Sequence, residues 1–531
     1  RIYRCIQSAH IHASPDGPWF FIIARNNPYE KFFQLIGITD TAMLRPQVFA
    51  LQDGAVQIGL ICSEKQAIDA TLQNLASEDN RFCPVADKYW NARGGSATDG
   101  GAFMFTVKDA GKGDGSKQLV CTDKFGRIVS TPKGQKHYRP QERLTVSEPS
   151  TEISGLLEKG LTAQDGGPLK HQCLELLPAW SYAALLQLCE ALILRAAKDD
   201  VAKARAIDLL TFLLDRRAAT GEKKRSSVLH ILIKSLTTLF AASPQMDANG
   251  QSLYRHVDWA TRDTLRPPQA GERICVLNAR EFPPEGDACD ARLICDAYEM
   301  GWKQFICYGY KGQRFTGCGL SKESEGVRID VYDSSGDYLA SGIDGLEIHV
   351  HGNAQDQLAQ IIKRGKLVIY GDVGQTFMYG AKGGDVYVMG NAAGRPLINA
   401  VGRPRVVING TCLDYLAESF MAGDPLNGGG FVVLNGIEFD TDGKVVPLVN
   451  PYPGANLFSL ASGGAIYLRD PHHLVVEEQL NGGEFTRLTS ADWELILPYL
   501  EENERLFGIS IENDLLQLDG RRKDYASVYR L

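Results

Sequence analysis

A repeat of 19 or 20 residues is the feature of this 531-residue sequence that most limits how it can fold. Short segments rich in β-branched residues recur along the chain, and glycine recurs at or just after their ends. The segments are VRIDVYD (327–333), LEIHVHG (346–352), LVIYGDVG (from Leu367), VYVMGNAAG (from Val386) and VVINGTC (from Val406). Chance does not place five segments in one register, so we interpret them as copies of a single structural unit.

Two recurring residue types define the register of this repeat. One apolar position recurs at intervals of 19, 19, 20 and 19 residues, at Leu339, Leu358, Phe377, Leu397 and Leu416. Glycine recurs at intervals of 19, 19 and 20 residues, at Gly352, Gly371, Gly390 and Gly410. A unit this short cannot bury a core alone, so we expect consecutive units to stack as coils around a shared apolar interior. We expect the glycines where the chain turns with positive φ and where coils approach closely, and the pattern predicts a parallel β-helix.

Other repeat architectures and a phosphate-binding loop fit this pattern less well. A propeller blade needs roughly 40 residues for each repeat, and the consensus of leucine-rich repeats is absent. The stretch GDVGQTFMYGAKGG contains no Gly-Lys-Ser or Gly-Lys-Thr, and its glycines recur in the other units. We therefore interpret these glycines as part of the coil rather than as a ligand site.

The remainder of the sequence separates into regions of different pattern. Residues 1–150 mix short strand-like segments with turns and predict an α+β domain with antiparallel sheet. Residues 151–268 predict a helical linker domain, and residues 269–470 contain the β-helix. Residues 471–531 predict a capping helix, with Ser490 as its N-cap, and a tail. We expect that helix to cover the open end of the β-helix, where strand edges would otherwise be unpaired.

Charge, hydropathy and cysteine spacing narrow the classes of function. The net charge of −8 and the lack of a basic stripe argue against nucleic-acid binding. No apolar segment reaches the roughly 20 residues of a membrane span, so none is predicted. The twelve cysteines include no CxxC pair. A chain of this size does not need disulfides, so we predict reduced thiols and a cytoplasmic protein.

The glycine-rich repeat resembles the C-terminal GXGXG domain of glutamate synthase large subunits and a related domain in a subunit of formylmethanofuran dehydrogenases. The resemblance covers about residues 271–470. It includes the lead-in VLNAREFPPEGDACDARLICDAYEMGW, the stretch GDVGQTFMYGAKGG and the later GGFVVLNG. It implies a right-handed parallel β-helix with a structural role, because the domain in that family couples active sites without reacting itself.

A second resemblance lies near the start of the sequence. The segment DTAMLRPQVFALQDGAVQIGLICSEKQAI (40–68) resembles class II glutamine amidotransferases. The residues that match are Asp40, Leu44, Arg45, Pro46, Ser63 and Glu64. Thr41, Ala42 and Met43 depart from the Arg-Asn-Gly of that class.

The catalytic group of that class is not identifiable in this sequence. Class II amidotransferases use an N-terminal cysteine as nucleophile, with its own free amine as base. Cys5 is internal, and the sequence opens at Arg1 in mid-pattern, so we expect the natural N-terminus to lie upstream. The nucleophilic cysteine is thus not present in this chain, and no catalytic residue is assigned.

The order of the two resemblances, amidotransferase first and β-helix last, is that of glutamate synthase. It implies a glutamate-synthase-related subunit for glutamine-dependent amide-nitrogen transfer within a hetero-oligomeric complex. FMN and iron–sulfur clusters are then expected on a separate flavin/iron–sulfur redox subunit, with no cofactor or metal in this chain. The alternative is a non-catalytic scaffold subunit of a larger redox enzyme complex, which the missing cysteine and altered motif favour.

Two histidines and two asparagines of the repeat region are further polar residues at defined positions. His349 and His351 lie two apart on a predicted strand and so share one face. A third metal ligand is not evident, and we expect both to be surface or coil-edge residues. Asn409 and Asn435 precede coil glycines, and we expect them to hydrogen-bond along the turn.

Overall fold

The computed structural model describes a few short segments before residue 167 and nearly all residues from 167 onward. The described residues are 51–52, 55–60, 103–109, 117–123, 153, 155–157, 167–310, 312–320, 322–440 and 442–531. The chain divides into two compact units, Arg1–Leu144 and Thr145–Leu531. Each unit is described below by itself.

The first unit contains a four-stranded antiparallel sheet in the order β1-β2-β3-β4. The strands are β1 (Leu51–Gln52), β2 (Ala55–Leu60), β3 (Phe103–Asp109) and β4 (Lys117–Asp123). Two strand-like segments of the sequence, VQIGL and FMFTV, lie in β2 and β3. The segment between β2 and β3 lies outside the described residues.

From residue 167 onward, the second unit contains four successive helices, α1 (Gly167–Leu176), α2 (Tyr182–Ala196), α3 (Asp200–Asp215) and α4 (Arg225–Ala241). Side-chain caps fix where two of them start, because Ser181 and Asp199 accept hydrogen bonds from the backbone of the first turns of α2 and α3. The apolar stripes of the helices form one buried cluster with residues from β-strands that follow in the chain, Tyr254, Val276, Ile306, Tyr308 and Tyr332. The helices therefore pack against a sheet.

That sheet has eleven strands in the order β19-β16-β13-β12-β11-β10-β9-β8-β7-β6-β5, parallel throughout except for β19. The strands are β5 (Tyr254–Val257), β6 (Ile274–Asn278), β7 (Gln304–Tyr308), β8 (Arg328–Tyr332), β9 (Asp344–Val350), β10 (Arg364–Ile369), β11 (Asp385–Val388), β12 (Arg405–Ile408), β13 (Phe431–Leu434), β16 (Ala465–Arg469) and β19 (Tyr529–Arg530). Because β5 belongs to it, the sheet starts before residue 269, inside the region predicted to be a helical linker. We refer to residues 254–469 as the coiled region.

Two helices and two small hairpins complete the second unit. Helix α5 (Asp290–Glu299) connects β6 to β7, and α6 (Ser490–Phe507) follows the last parallel strand. The hairpins pair β14 (Ile437–Phe439) with β15 (Val445–Pro447) and β17 (Gln517–Leu518) with β18 (Arg521–Arg522).

A second series of hydrogen bonds joins successive coils away from the sheet. Ala359 N donates to Leu339 O at 2.8 Å, Met378 N to Leu358 O at 2.8 Å, and Leu397 N to Phe377 O at 2.7 Å. The coils thus stack both at the strands and at the turns between them. They enclose an apolar core that runs from Met246 to Leu480, and this large, mostly parallel arrangement is compatible with a parallel β-helix.

Helix α6 lies across the outer face of the sheet. Its residues Ile496, Leu500 and Phe507 form one buried cluster with side chains of β10 to β16, such as Val368 and Tyr467. The predicted position of this helix over the open end is therefore wrong, and β19 pairs with the edge of β16 instead. The helix buries an apolar stripe, which a sheet face can cover and an open end cannot.

The N-cap of α6 is Thr489, one residue before the predicted Ser490. Its hydroxyl accepts from Asp492 N at 3.3 Å, while the Asp492 carboxylate accepts from Thr489 N at 2.9 Å. This reciprocal capping box satisfies two backbone donors, and Ser490 offers no such return bond because it is already inside the first turn.

Candidate functional site

Parallel pairing in register aligns charged side chains across the outer face of the sheet. At one position the row reads Arg328, Glu347, Lys366, Asp385 and Arg405, with alternating charge. Two residues further along each strand, a second row contains Asp330 beside His349. The later residues of these rows lie under α6, where Lys366 pairs with Glu502 and the Arg405 guanidinium lies 5.9 Å from the centre of the Tyr499 ring. We call the residues Asp215, Arg328, Asp330, Glu347, His349 and His351 the polar seam.

His351 is the centre of the polar seam. Its Nδ1 lies 2.9 Å from both carboxylate oxygens of Asp215, the last residue of α3. Its Nε2 lies 3.0 Å from Oδ1 of Asp330 on β8. One imidazole ring thus contacts a carboxylate from the helical segment and another from the coiled region.

Two tyrosines hold the His351 ring between parallel planes. The Tyr332 ring stacks on it at 4.3 Å between centroids, and the Tyr370 ring stacks on the other side at 5.2 Å. Phe507 at the end of α6 meets Tyr370 edge-on at 5.3 Å. The three stacked residues come from three successive coils, and this packing leaves the imidazole one orientation.

Burial and neighbouring charges shift the pKa values of His351 and Asp330 in opposite directions. Burial alone would lower the pKa of His351, but Asp215 and Asp330 outweigh it and raise that pKa to about 9. Burial alone would raise the pKa of Asp330, but its hydrogen bonds from Arg328 and His351 outweigh it and lower that pKa. Arg328 contributes two parallel hydrogen bonds of 2.8 Å to Asp330. His351 is therefore protonated beside an ionised Asp330. Burial raises the pKa of Asp215, and the charge and hydrogen bonds of His351 oppose that rise.

His349 has the opposite electrostatic character. Burial lowers its pKa, although its hydrogen bond to Glu347, 2.5 Å from Nε2 to Oε1, offsets part of that effect. His349 and His351 are 3% and 5% exposed, so the expectation of surface or coil-edge histidines is wrong. They are buried because α3 and α6 cover this part of the sheet. No group of three or more potential metal ligands occurs among the residues that the structure describes.

Sequence reasoning missed Asp215 and the role of His351. Asp215 lies 136 residues away from His351, and nothing in the local pattern of α3 marks it. A usable signal was the spacing of Tyr332, His351 and Tyr370, each 19 residues apart. Large rings at the same position of three consecutive coils indicate that a covered outer face lies there.

The recurring glycines lie at a corner where the coils approach most closely. A Cβ on Gly371, Gly390 or Gly410 would overlap the side-chain oxygen of Asn353, Asp372 or Asn391 in the preceding coil. Those oxygens accept backbone hydrogen bonds from the coil above, for example 2.6 Å from Asn391 N to Asp372 Oδ1. Glycine is therefore required here by close approach.

The expectation that Gly352, Gly371, Gly390 and Gly410 lie at turns with positive φ is wrong. None of them has it, whereas non-glycine residues such as Gln357, Thr376 and Arg395 have φ of 59°, 57° and 62°. These residues lie on the turn that carries the second series of hydrogen bonds. The stacking of neighbouring coils holds the unfavourable backbone conformation in place.

The predicted apolar ladder is buried, with one change of register. Leu339, Leu358, Phe377, Leu397 and Leu416 are all 0% exposed. The bonds between coils, however, place Pro396 in line with Phe377 and Leu416, because Ala417 N donates to Pro396 O as Leu397 N donates to Phe377 O. The assignment of Leu397 to this ladder is thus off by one residue. The interval of 20 residues lies between Pro396 and Leu416, whereas the sequence pattern placed it between Phe377 and Leu397.

The described cysteines are buried or partly buried free thiols. They are Cys173, Cys189, Cys275, Cys289, Cys295, Cys307, Cys318 and Cys412. Burial raises the pKa of Cys275 to about 12 and that of the partly exposed Cys318 also to about 12. A thiol with such a pKa is protonated at neutral pH and is a poor nucleophile.

The residues of the amidotransferase-like motif, Asp40, Leu44, Arg45, Pro46, Ser63 and Glu64, lie outside the described residues. Among the helices of the described part, none is long and apolar enough to cross a membrane.

Comparison with known proteins identifies part of the chain. No curated protein and no solved structure matches it. Residues 306–529 match the family described as GXGXG motif. That segment begins in β7 and ends in β19, so it includes α6 and the tail, which the sequence pattern placed in a separate region. The C-terminal part of this chain therefore carries a GXGXG domain of the kind found in glutamate synthase-type proteins.

Proposed function

We propose that this chain is a glutamate-synthase-related subunit that takes part in glutamine-dependent amide-nitrogen transfer. In this proposal the coiled region is a right-handed parallel β-helix that acts as a rigid arm between catalytic parts. The match of residues 306–529 to the GXGXG motif is the observation that carries the proposal. The amidotransferase-like segment at 40–68 supports it from the sequence alone.

The packing of the described part suits a rigid arm. The coiled region has a continuous interior core, and helices cover the outer face of its sheet with two further buried clusters. Elements with cores on both sides deform little, because interiors are close-packed. A surface of this kind can hold two proteins at a fixed separation.

The flavin and iron–sulfur clusters that this family requires would belong to a separate subunit and would supply its electron transfer. The described thiols do not suit a cluster, because they are buried or partly buried and no group of three or more potential metal ligands occurs among the described residues. We therefore assign no redox step to the described residues.

A non-catalytic scaffold subunit of a larger redox complex is the second candidate. The raised pKa values of Cys275, Cys318 and Cys412 favour it, because a protonated thiol is a poor nucleophile for attack on glutamine. In that case the protein would hold its partners together without using glutamine.

The response to glutamine separates the two candidates. The native protein, isolated with the subunits that copurify, is incubated with glutamine, and released ammonia is measured. The first proposal expects ammonia release that a thiol-directed glutamine analogue abolishes. A complex that binds its partners but neither releases ammonia nor reacts with the analogue would overturn it in favour of the scaffold.

A further inference from the structure

The hydrogen-bond partners of His351 determine its protonation state. An ionised carboxylate can only accept hydrogen bonds, and a neutral imidazole has one donor nitrogen. Nδ1 faces both oxygens of Asp215 at 2.9 Å, and Nε2 faces Asp330 at 3.0 Å. Because Asp330 is ionised, Nε2 donates to it, and Nδ1, equidistant from both Asp215 oxygens, is placed to donate as well. A ring that donates from both nitrogens is an imidazolium.

The surrounding groups leave this imidazolium no other partner. The titratable and charged side chains that interact with His351, with its two carboxylates or with their neighbours come from every surrounding element: Asp215 and Arg216 from α3, Arg328, Asp330 and Tyr332 from β8, Glu347 and His349 from β9, Tyr370 from the coil after β10, and Arg505 from α6. Arg328 is bound to Asp330, Glu347 is bound to His349, and His351 is in contact with Asp215. His351 is thus the cation that neutralises Asp215.

We propose that protonated His351 is a clasp that holds the C-terminal end of α3 against the coiled region, and that loss of its proton opens the clasp. Asp215 is 8% exposed, so without the imidazolium it would be a buried charge with no cation in contact. Arg216, the next residue, donates to the backbone oxygen of Arg505 in α6 at 3.0 Å. Opening at Asp215 would therefore also loosen the contact between α3 and α6.

The direction of the pH response follows from the raised pKa. The native imidazole keeps its proton to about pH 9, whereas an unfolded histidine loses it near pH 6.5. The clasp contributes its full stability below about pH 6.5 and loses it progressively as the pH rises to about 9. Alkaline conditions, and not acid, should release α3.

Histidine NMR on the full chain tests the proposal. The Cε1–H signals of selectively labelled protein are followed from pH 5 to 11, and the His351 signal is assigned by its loss in His351→Gln. His472→Gln serves as the matched control, because His472 is exposed. We expect His351 to titrate near pH 9 and the Asp215→Asn variant to titrate at least about one pH unit lower. A wild-type midpoint at or below 6.5 would overturn the proposal.

Hydrogen exchange tests the opening itself. After correction for the intrinsic effect of pH, amides near the end of α3 should exchange about tenfold faster at pH 10 than at pH 7 in the wild type. Asp215→Asn should show no such step, because its neutral amide leaves no buried charge without a cation when His351 loses its proton. If His351→Gln does not fold, the wild-type titration and Asp215→Asn still decide the matter. An equal step in wild type and Asp215→Asn would contradict the clasp.

Discussion

Asn409 and Asn503 exchange two hydrogen bonds although 94 residues separate them. Asn409 Nδ2 donates to Asn503 Oδ1 at 2.8 Å, and Asn503 Nδ2 donates to Asn409 Oδ1 at 3.0 Å. Asn435 Nδ2 donates to the same Asn409 oxygen at 2.8 Å, and the Tyr529 hydroxyl donates to Asn435 at 2.8 Å. A fully buried amide network thus connects two coils to α6 and β19.

Replacing Asn503 with leucine should destabilise the protein by about 2–3 kcal/mol, because the buried Asn409 amide loses both of its hydrogen bonds to Asn503. Urea unfolding of the full chain measures this loss. Glu501→Ala is the control, since Glu501 is exposed on the same helix and should change stability by less than about 0.5 kcal/mol. Equal stability of the two variants would show that the network contributes nothing.

Replacing Gly390 with alanine should cost about 3 kcal/mol or more, because the new methyl group would overlap Asp372 Oδ1 and lie 2.9 Å from Gly371 O. Gly394→Ala is the matched control in the same coil, where the nearest atom lies 3.9 Å from the new Cβ and φ is not positive. Thermal unfolding compares the two. A Gly390→Ala protein as stable as Gly394→Ala would refute close approach as the reason for the repeat glycines.

The Asp290 carboxyl, buried at the start of α5, should make stability fall with rising pH. Burial raises the pKa of Asp290 from 3.8 to about 7, and the nearby backbone N–H groups of Ala291 and Asp290, with the hydroxyls of Tyr310 and Thr316, offset only part of this effect. The native state then binds more protons than the unfolded state between about pH 4 and 7, so stability decreases across that window.

Asp290→Asn removes this titration and should be more stable than wild type at pH 8, by up to about 4 kcal/mol, with little gain at pH 4.5. Melting temperatures across this pH range measure the difference. Asp287→Asn, an exposed neighbour, should follow the wild type at each pH. A difference between Asp290→Asn and wild type that is the same at all pH values would contradict the burial argument.

The middle of the coiled region was predictable from sequence because its spacing is regular. The segments that begin at residues 327, 346, 367, 386 and 406 coincide with β8 to β12, and the strands pair in the register of the recurring glycines. The strands before and after were not assigned. Helix α5 lies between β6 and β7, and the hairpin β14–β15 lies between β13 and β16, so no constant interval marks them.

Contacts on the outer face were beyond the reach of a repeat pattern. The sequence indicated that His349 and His351 share a face, but not that α3 and α6 cover it, because helix position depends on pairing between distant apolar surfaces. The Asn409–Asn435 contact was expected from their positions before coil glycines. Their bond to Asn503 was not, since nothing near Asn503 indicates which face of α6 is buried beside an amide.

The fate of the amide nitrogen of glutamine shows whether this protein takes part in nitrogen transfer. The native protein with its copurifying subunits is given glutamine labelled with ¹⁵N at the amide, 2-oxoglutarate and a reductant, and the product is analysed by mass spectrometry. The account predicts ¹⁵N in the amino group of newly formed glutamate, and only when the flavin subunit is present. Label that remains in glutamine while the complex is intact would contradict it.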